Sequence, residues 1–219
     1  MIKGLVKFSG RRIILSVKNK SSSKAVIFSH GFRSSKNNLL FQSTARSLAR
    51  AGFKPVLFNY GVERVNKRVQ VLRAVINHVK SDSIGLLGHS LGGMVSILLA
   101  TNPRVKSLAL VNTVYEQGLV YDNYARVRRT IAKAIPNRFK KEFFSYNLKR
   151  IVSNLEKPVI VVSGEDDQVT PQPMMKRLYN DLMGEKSFVS IPNAGHSIWR
   201  SSHLRRVRVA VRDWFKRTL

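Results

Sequence analysis

Short apolar runs alternate with longer segments of helical periodicity along most of the chain. Apolar runs bounded by turn residues are typical of buried strands, and apolar positions three and four residues apart are typical of amphipathic helices. The predicted strands are Gly4–Phe8, Arg12–Val17, Ala25–Ser29, Pro55–Tyr60, Ile84–Leu87, Ser107–Val111, Pro158–Val162 and Ser187–Ile191. The predicted helices are Asn37–Ala51, 65–79, Leu91–Ala100, Pro171–Met183 and Leu204–Lys216.

The order of these elements indicates the fold class. Strands that alternate with amphipathic helices favour a mostly parallel sheet with helices on both faces, and the first two strands favour a hairpin. A chain of 219 residues fits one domain, because a single core can grow to roughly 250 residues before chains divide. We therefore predict one α/β domain over residues 1–219.

The segment from about 114 to 155 breaks this alternation. It contains no clear strand, includes Pro136 and is rich in arginine and lysine between Arg126 and Lys141. Structureless connections of this length are uncommon in compact domains. We predict a small helical lid inserted over the pocket, and the alternative is an ordinary crossover helix with long loops.

A candidate nucleophile lies in Gly88-His89-Ser90-Leu91-Gly92, between a predicted strand and a predicted helix. A strand that turns sharply into a helix presents its turn residue at the sheet edge, and the flanking glycines let the backbone close up. The free amides and dipole of the helix favour negative charge on an attacked carbonyl. The pattern alone also occurs by chance in loops, but this placement predicts that Ser90 is a nucleophile.

A serine hydroxyl needs a base that removes its proton. The candidate is His196, which follows the last predicted strand and so lies, like Ser90, at the carboxyl edge of the sheet. An acid must orient that histidine. Three adjacent carboxylates, Glu165, Asp166 and Asp167, follow the preceding strand, and they cannot all point into the site.

The chain order of serine, acid and histidine, with His30-Gly31-Phe32 after an early strand, resembles the α/β-hydrolase family, in particular its small esterase, lipase and acyl-hydrolase members. The resemblance runs from about Ala25 to the C-terminus and rests on His30-Gly31, Gly88–Gly93, Gly164-x-x-Asp167 and Gly195-His196. It implies an α/β-hydrolase fold and the activity of a serine hydrolase.

The resemblance also assigns roles to individual residues. It implies that Asp167 is the acid, because the family places this residue three positions after a glycine and shortly before a helix-starting proline. It further implies that the backbone N–H groups of Phe32 and Leu91 form the oxyanion hole. Two amides that converge on the developing alkoxide are what acyl transfer needs.

Three further residues are expected to support the pocket. His30 and Gly31 precede the first oxyanion donor in the sequence. His89 is adjacent to Ser90 and must point elsewhere, so we expect it to support the serine turn from below.

The leading hypothesis is a carboxylesterase that cleaves a carboxylic ester or related acyl compound through an acyl-enzyme on Ser90. A thioesterase, amidase or peptidase would use the same machinery, because all of these reactions pass through the same tetrahedral oxyanion. The third hypothesis is a catalytically idle protein of this fold that binds an anionic partner. No metal and no organic cofactor is expected, and the chain has no cysteine.

The formal net charge of +27, from 39 Lys and Arg against 12 Asp and Glu, changes the expected partners. Such a charge can attract nucleic acid, an anionic membrane surface or an anionic acyl substrate. Nucleic acid and membranes are not favoured, because the basic residues are spread over the whole chain.

The expected location is the cytoplasm. No apolar run approaches the roughly 18 residues of a membrane span, and Lys3 and Lys7 interrupt the apolar stretch that a secretory signal needs. The alternative is an organelle transit peptide, because no acidic residue precedes Glu63. It is not favoured, since residues 1–18 alternate as strands do.

Overall fold

The computed structural model describes residues 2–8 and 10–219. The strands in these residues are β1 (Ile2–Phe8), β2 (Arg11–Val17), β3 (Lys24–Ser29), β4 (Lys54–Leu57), β5 (Ser83–His89), β6 (Val105–Val111), β7 (Val159–Gly164) and β8 (Lys186–Ile191). The helices are α1 (Leu39–Arg50), α2 (Val65–His78), α3 (Leu91–Leu98), α4 (Gln117–Val127), α5 (Arg129–Lys133), α6 (Asn137–Phe144), α7 (Leu148–Val152), α8 (Gln172–Asp181) and α9 (Ser201–Thr218).

The strands form one sheet in the order β1-β2-β4-β3-β5-β6-β7-β8. The strands from β3 to β8 pair in parallel with their neighbours. At one edge, β1 and β2 form an antiparallel hairpin, and β2 pairs antiparallel with β4. The predicted α/β fold with a mostly parallel sheet is therefore confirmed.

Helices cover both faces of this sheet. Val75 of α2, Met94 of α3 and Leu178 of α8 belong to one apolar core layer. Leu48 of α1 and Val211 of α9 belong to a second layer. The central strands are buried between the two layers, which explains why they read in the sequence as nearly continuous apolar runs.

Most predicted element bounds differ from the structure by one to three residues, and two of the differences lie near the candidate site. The strand predicted at Pro55–Tyr60 ends at Leu57, and Tyr60 is instead buried outside the sheet, where its hydroxyl lies 2.6 Å from the Ser29 Oγ. The helix predicted to start at Pro171 is preceded by Thr170, a residue type that can cap free helix amides. The first helix residue is Gln172, without a side-chain cap, because the Thr170 hydroxyl donates to Asp167 instead.

The segment between β6 and β7 holds the four helices α4 to α7 and no strand, so the predicted helical insertion is confirmed. Several contacts fix it to the rest of the chain. The carboxylate of Glu142 in α6 pairs with Arg64 and accepts the Asn66 amide at 3.1 Å. Just before α4, Glu116 forms a two-point ion pair with Arg177 at 2.6 and 2.9 Å. These contacts hold the insertion above the carboxyl edge of the sheet.

Across residues 2–8 and 10–219, no helix combines the length and the apolar character that crossing a membrane requires.

Candidate active site

Ser90 lies at a sharp turn between β5 and α3. Its backbone is in the left-handed region, with φ 55° and ψ −125°, which is costly for a residue with a side chain. The turn is tight because Gly92 lies against the neighbouring strand β3: a Cβ there would be 1.9 Å from the Ser29 carbonyl oxygen. The backbone N–H of Ser90 donates to the Val111 carbonyl at 3.1 Å, which fixes the turn to β6.

The three predicted catalytic side chains meet at the carboxyl edge of the sheet. The Nε2 of His196 lies 3.0 Å from the Ser90 Oγ, and its Nδ1 lies 2.8 Å from the Asp167 Oδ2. Ser90 follows β5, Asp167 follows β7 and His196 follows β8. Since parallel strands end at the same edge, residues far apart in sequence come into one chain of hydrogen bonds.

Asp167 is the carboxylate of the three candidates that points into the site. Its side chain is buried, whereas Glu165 and Asp166 are exposed. It accepts the backbone amides of Val169 and Thr170, each at 2.8 Å, and the Thr170 hydroxyl at 2.5 Å. Burial alone would raise its pKa, but the hydrogen bonds from His196 and Thr170 outweigh burial and lower the pKa of Asp167. The carboxylate is therefore held in its charged form.

The loop that carries His196 is held by two residues below it. The Asn112 side chain donates to the carbonyls of Gly195 and His196 at 3.2 and 3.0 Å and accepts the Gly164 amide at 2.8 Å. His89 Nε2 donates to the same His196 carbonyl at 3.0 Å. The support of the serine turn expected of His89 stays a prediction, and the hydrogen bond of its ring goes to the histidine loop.

His30 and Gly31 lie in the loop that follows β3, and Gly31 is next to Ser90. The Tyr60 amide donates to His30 Nε2 at 3.3 Å, and His30 Nδ1 donates to the Gly31 carbonyl at 2.9 Å, so the ring is neutral. A Cβ on Gly31 would lie 3.1 Å from the Ser90 Cβ. A side chain at this position would crowd the nucleophile.

Arg68 is a fully buried arginine that the sequence analysis missed. Its guanidinium donates to the carbonyl of His30 at 2.9 Å and to that of Gly31 at 3.3 Å, and it pairs with Glu63 at 2.7 Å. It also stacks on the Tyr60 ring, with 4.6 Å from Cζ to the ring centroid. A buried charge needs such partners, and here they are the backbone of the His30-Gly31 loop.

The preceding carbonyls orient the two amides predicted to form the oxyanion hole. In a trans peptide group, the N–H points opposite to the carbonyl. The Gly31 carbonyl points to Arg68, and the Ser90 carbonyl accepts amides of the following helix at 2.9 and 3.4 Å. The N–H groups of Phe32 and Leu91 therefore point away from these partners, and both residues line the pocket around Ser90.

The pocket above Ser90 is narrow, with about 50 Å³ of free volume. None of its lining side chains carries a charge. The lining consists of Ser90 with Phe32, Leu91, Val114, Val120, Tyr121, Tyr124, Ile135, Phe139, Phe143 and Val169. Six of these residues, from Val120 to Phe143, come from the helical insertion, whose basic residues Arg126, Arg128, Arg129, Lys133 and Arg138 are exposed. The insertion therefore turns its aromatic side to the serine and these charges to solvent.

The sequence contained a signal for both Arg68 and Asn112, which the sequence analysis did not name as site residues. Arg68 lies three residues after Val65 and four before Leu72, so it is on the apolar face of α2. A charged residue in such a position needs a buried partner. Asn112 directly follows β6, at the same sheet edge as Ser90.

Among the described residues, no group of three or more His, Asp or Glu side chains could hold a metal ion.

A strained serine turn after a central parallel strand, aligned with a histidine and a buried aspartate beyond later strands, defines the class of α/β-hydrolase-fold proteins. The sequence resemblance to this class is confirmed. Within it, the chain belongs to the prolyl oligopeptidase family, whose model matches residues 54–219.

Solved structures of similar fold include several lipid and ester hydrolases by name. Est1E from Butyrivibrio proteoclasticus superposes with a TM-score of 0.83 at 17% identity, covering 99% of this chain and 98% of that one. An esterase from Pyrococcus furiosus gives 0.80 at 16% identity, covering 99% and 90%. A monoacylglycerol lipase from Paleococcus ferrophilus gives 0.76 at 16% identity, covering 94% and 99%. At these identities the likeness shows the fold.

Among curated sequences, an uncharacterized protein of Mycobacterium tuberculosis is 27% identical over 117 residues. The match covers 52% of this chain and 38% of that protein. This chain therefore matches less than half of the length of that relative.

Two histidines of the site, the buried His30 and the half-buried His89, predict how stability depends on pH. Burial, and then the nearby Arg68, lower the pKa of His30 to about 4, and burial and the neighbouring His196 lower that of His89 to about 4. In the unfolded chain a histidine has a pKa of about 6.5. Between these values the unfolded chain binds protons that the folded chain does not. The free energy of unfolding should therefore fall as the pH falls, by up to about 1.4 kcal/mol per pH unit for each histidine.

Urea unfolding at several pH values between about 7 and 5 measures this slope. His30→Asn should make the slope shallower, whereas His78→Asn, at an exposed position, should leave it unchanged. A free energy of unfolding that is the same at both ends of this range would show that His30 and His89 are not held neutral.

Proposed function

We propose that the chain is a serine hydrolase that cleaves carboxylic esters with a short, uncharged acyl group through an acyl-enzyme on Ser90. The observation that carries the proposal is the unbroken chain of hydrogen bonds from the Ser90 Oγ through His196 to the buried Asp167. Ser90, at one end of this chain, lines an apolar pocket. Binding alone has no need for this alignment.

In the proposed first step, the Ser90 Oγ attacks the ester carbonyl carbon while its proton passes to His196 Nε2. Asp167 holds the Nδ1 proton and stabilises the imidazolium that forms. The carbonyl electrons move to oxygen, where the amides of Phe32 and Leu91 stabilise the negative charge. Each such donor contributes about 3 kcal/mol in comparable sites.

The tetrahedral intermediate then collapses, and the bond to the leaving alkoxide breaks. His196 donates its proton to that oxygen, so the alcohol leaves neutral. Water enters, gives a proton to His196 Nε2 and attacks the acyl carbon, which releases the acid and returns the proton to Ser90. The chemistry needs no group beyond the protein and water.

The lining of the pocket supports the acyl preference. The aromatic rings of Phe32 and Phe139 lie 5.1 Å apart next to the serine, and no charge faces the acyl side. An apolar acyl group can bury its surface here, whereas a carboxylate would lose its hydration without a partner. One similar structure, Est1E, has been determined with ferulic acid, an aromatic acid. The earlier expectation of an anionic acyl substrate is not retained.

A second candidate is cleavage of peptide or other amide bonds by the same residues. It is favoured by the match to the prolyl oligopeptidase family over residues 54–219. An ester and an anilide with the same acyl group distinguish the two candidates. Faster turnover of the anilide would favour amide cleavage.

The cytoplasmic location stays a prediction.

The nucleophile is tested with a fluorophosphonate probe, which forms a stable adduct with an activated serine. The wild-type chain should carry one adduct, on Ser90. Ser90→Ala should carry none and should hydrolyse a short-chain p-nitrophenyl ester at least about a thousandfold more slowly, as removal of other triad serines does. The readouts are intact-protein mass and initial rates.

Ser202→Ala is the matched control, because this serine is exposed on α9. It should keep both the adduct and the rate. Circular dichroism confirms that each variant is folded. Turnover that survives in folded Ser90→Ala, or folded wild type without an adduct, would contradict the proposal.

The second prediction concerns acyl-chain length. Tyr124 of α4 is half-buried and lines the pocket. Tyr124→Ala should open room for longer chains and raise the ratio of kcat/KM for an octanoyl over an acetyl ester about tenfold, which corresponds to about two buried methylene groups.

Phe144→Ala is the control for this change, since Phe144 lies on the same insertion, is 46% exposed and does not line the Ser90 pocket. Its ratio of kcat/KM for the octanoyl over the acetyl ester should equal that of wild type. Equal ratios in Tyr124→Ala and wild type would show that the insertion does not form the acyl site.

A further inference from the structure

A basic groove lies between α1 and α9, away from the proposed catalytic site. The two helices run in the same direction: Leu39 at the start of α1 lies near Ser201 at the start of α9, and Ala51 lies near Lys216. Two hollows of about 560 and 460 Å³ follow the pair and share Arg46, among other residues. They form one continuous groove.

The groove is lined by six cations. They are Arg46, Arg50, Arg205, Arg208, Arg212 and Lys216. The only acidic residue in the sequence of either helix is Asp213, which pairs with Arg212 at 2.8 Å. The positive charge of the other five is therefore not neutralised within the two helices.

The helix ends add to this charge. Neither α1 nor α9 has an acidic residue in its first turn, and the two N-termini lie side by side. Helix N-termini carry partial positive charge. Like charges so close together repel each other, and a bound anion would relieve the repulsion.

We propose that this groove binds a linear chain of phosphate groups. The 12-residue helix α1 is about 18 Å long at ~1.5 Å per residue, so the cations form a row that is long enough for several phosphates. No aromatic side chain lines the groove. Stacking on bases is therefore not available, and recognition rests on phosphates alone.

The shape favours a linear polymer over a membrane surface. The cations lie in a hollow between two helices, and a flat membrane would contact the rims first. Membrane-bound faces also carry exposed apolar side chains, and here only Leu39 and Val209 are both exposed and part of the lining. Inorganic polyphosphate and the backbone of a nucleic acid strand share the required chemistry.

The groove is independent of the proposed hydrolase activity. It lies along the helices that cover one face of the sheet, and it has no lining residue in common with the Ser90 pocket. Loss of groove binding should leave ester hydrolysis unchanged.

The test compares two variants from which the same number of charges has been removed. The groove variant is Arg46→Gln, Arg50→Gln, Arg205→Gln and Arg208→Gln. The control is Lys20→Gln, Arg73→Gln, Lys106→Gln and Lys176→Gln, four exposed residues outside the groove. Affinity for labelled polyphosphate and for a labelled single-stranded oligonucleotide is measured with the full chain at several salt concentrations. The melting temperature shows that each variant is folded.

The groove variant should bind at least about tenfold more weakly than the control. Its salt slope for the oligonucleotide should fall by about 3 in magnitude, since each lost phosphate contact removes about 0.7. The control should keep the wild-type slope. Groove-dependent binding of polyphosphate, of the oligonucleotide or of both supports the proposal. Groove-dependent binding of only one of the two polymers also identifies the source of the phosphates.

Equal losses in both variants would show that the whole charged surface attracts polyanions, and the proposal would be wrong. Binding only to phosphatidylserine vesicles, with neither polymer bound, would also overturn it in favour of a membrane. If the fourfold groove variant does not fold, the pairs Arg46→Gln with Arg50→Gln and Arg205→Gln with Arg208→Gln are compared separately. Each pair should then weaken binding more than two of the control changes do.

Discussion

The hydrogen bond between His196 Nδ1 and the buried carboxylate of Asp167 is the interaction on which the site depends. At 2.8 Å it fixes both the tautomer and the direction of the ring, so that Nε2 faces the Ser90 Oγ. The carboxylate can perform this role because Thr170 and nearby amides hold it in its charged form. Asn112 fixes the backbone of the histidine loop from below. These polar contacts thus join the residues that follow β6 and β7 to the loop that carries His196.

A second constraint acts on the opposite side of the serine. Arg68 draws the carbonyls of His30 and Gly31 toward itself, and the next amide, that of Phe32, consequently points the other way. The cation is buried, yet it is paired with Glu63 and satisfied by backbone oxygens. The neutral state of His30 has two causes, because burial first and the adjacent charge of Arg68 second lower the pKa of its ring. Arg68 is in this sense a positioning residue.

The sequence pattern was sufficient for the fold and for placing Ser90 and His196 at one sheet edge, whereas the choice of Asp167 among three adjacent carboxylates came from the family resemblance. Strand and helix periodicity is local, and the parallel topology brings the residues after β5, β7 and β8 to one edge. The partners of buried groups were harder to predict: Arg68 contacts a loop 38 residues earlier, and His89 donates to a loop 107 residues later. Such contacts depend on how elements pack, which periodicity does not report.

The position of the charges in the fold also could not be predicted from the sequence pattern. Along the sequence the basic residues are spread evenly, and this argued against a specific anionic partner. In the fold, Arg46 and Arg208 come from helices far apart in the chain and line one groove. The aromatic side chains of the insertion cover the serine, while many of its basic residues face solvent. The net charge of +27 is thus unevenly placed on the surface.

The most direct measurement is the turnover number of Asp167→Asn beside that of Asp166→Asn, on one short-chain ester near pH 7. An asparagine at position 167 would favour the wrong tautomer of His196, and kcat should fall by about ten-thousandfold, as in other triads. Asp166 is exposed and adjacent in sequence, so its variant should stay within about twofold of wild type, as surface changes usually do. The opposite ranking would make Asp166 the acid, and near-full activity in both variants would contradict the proposed triad.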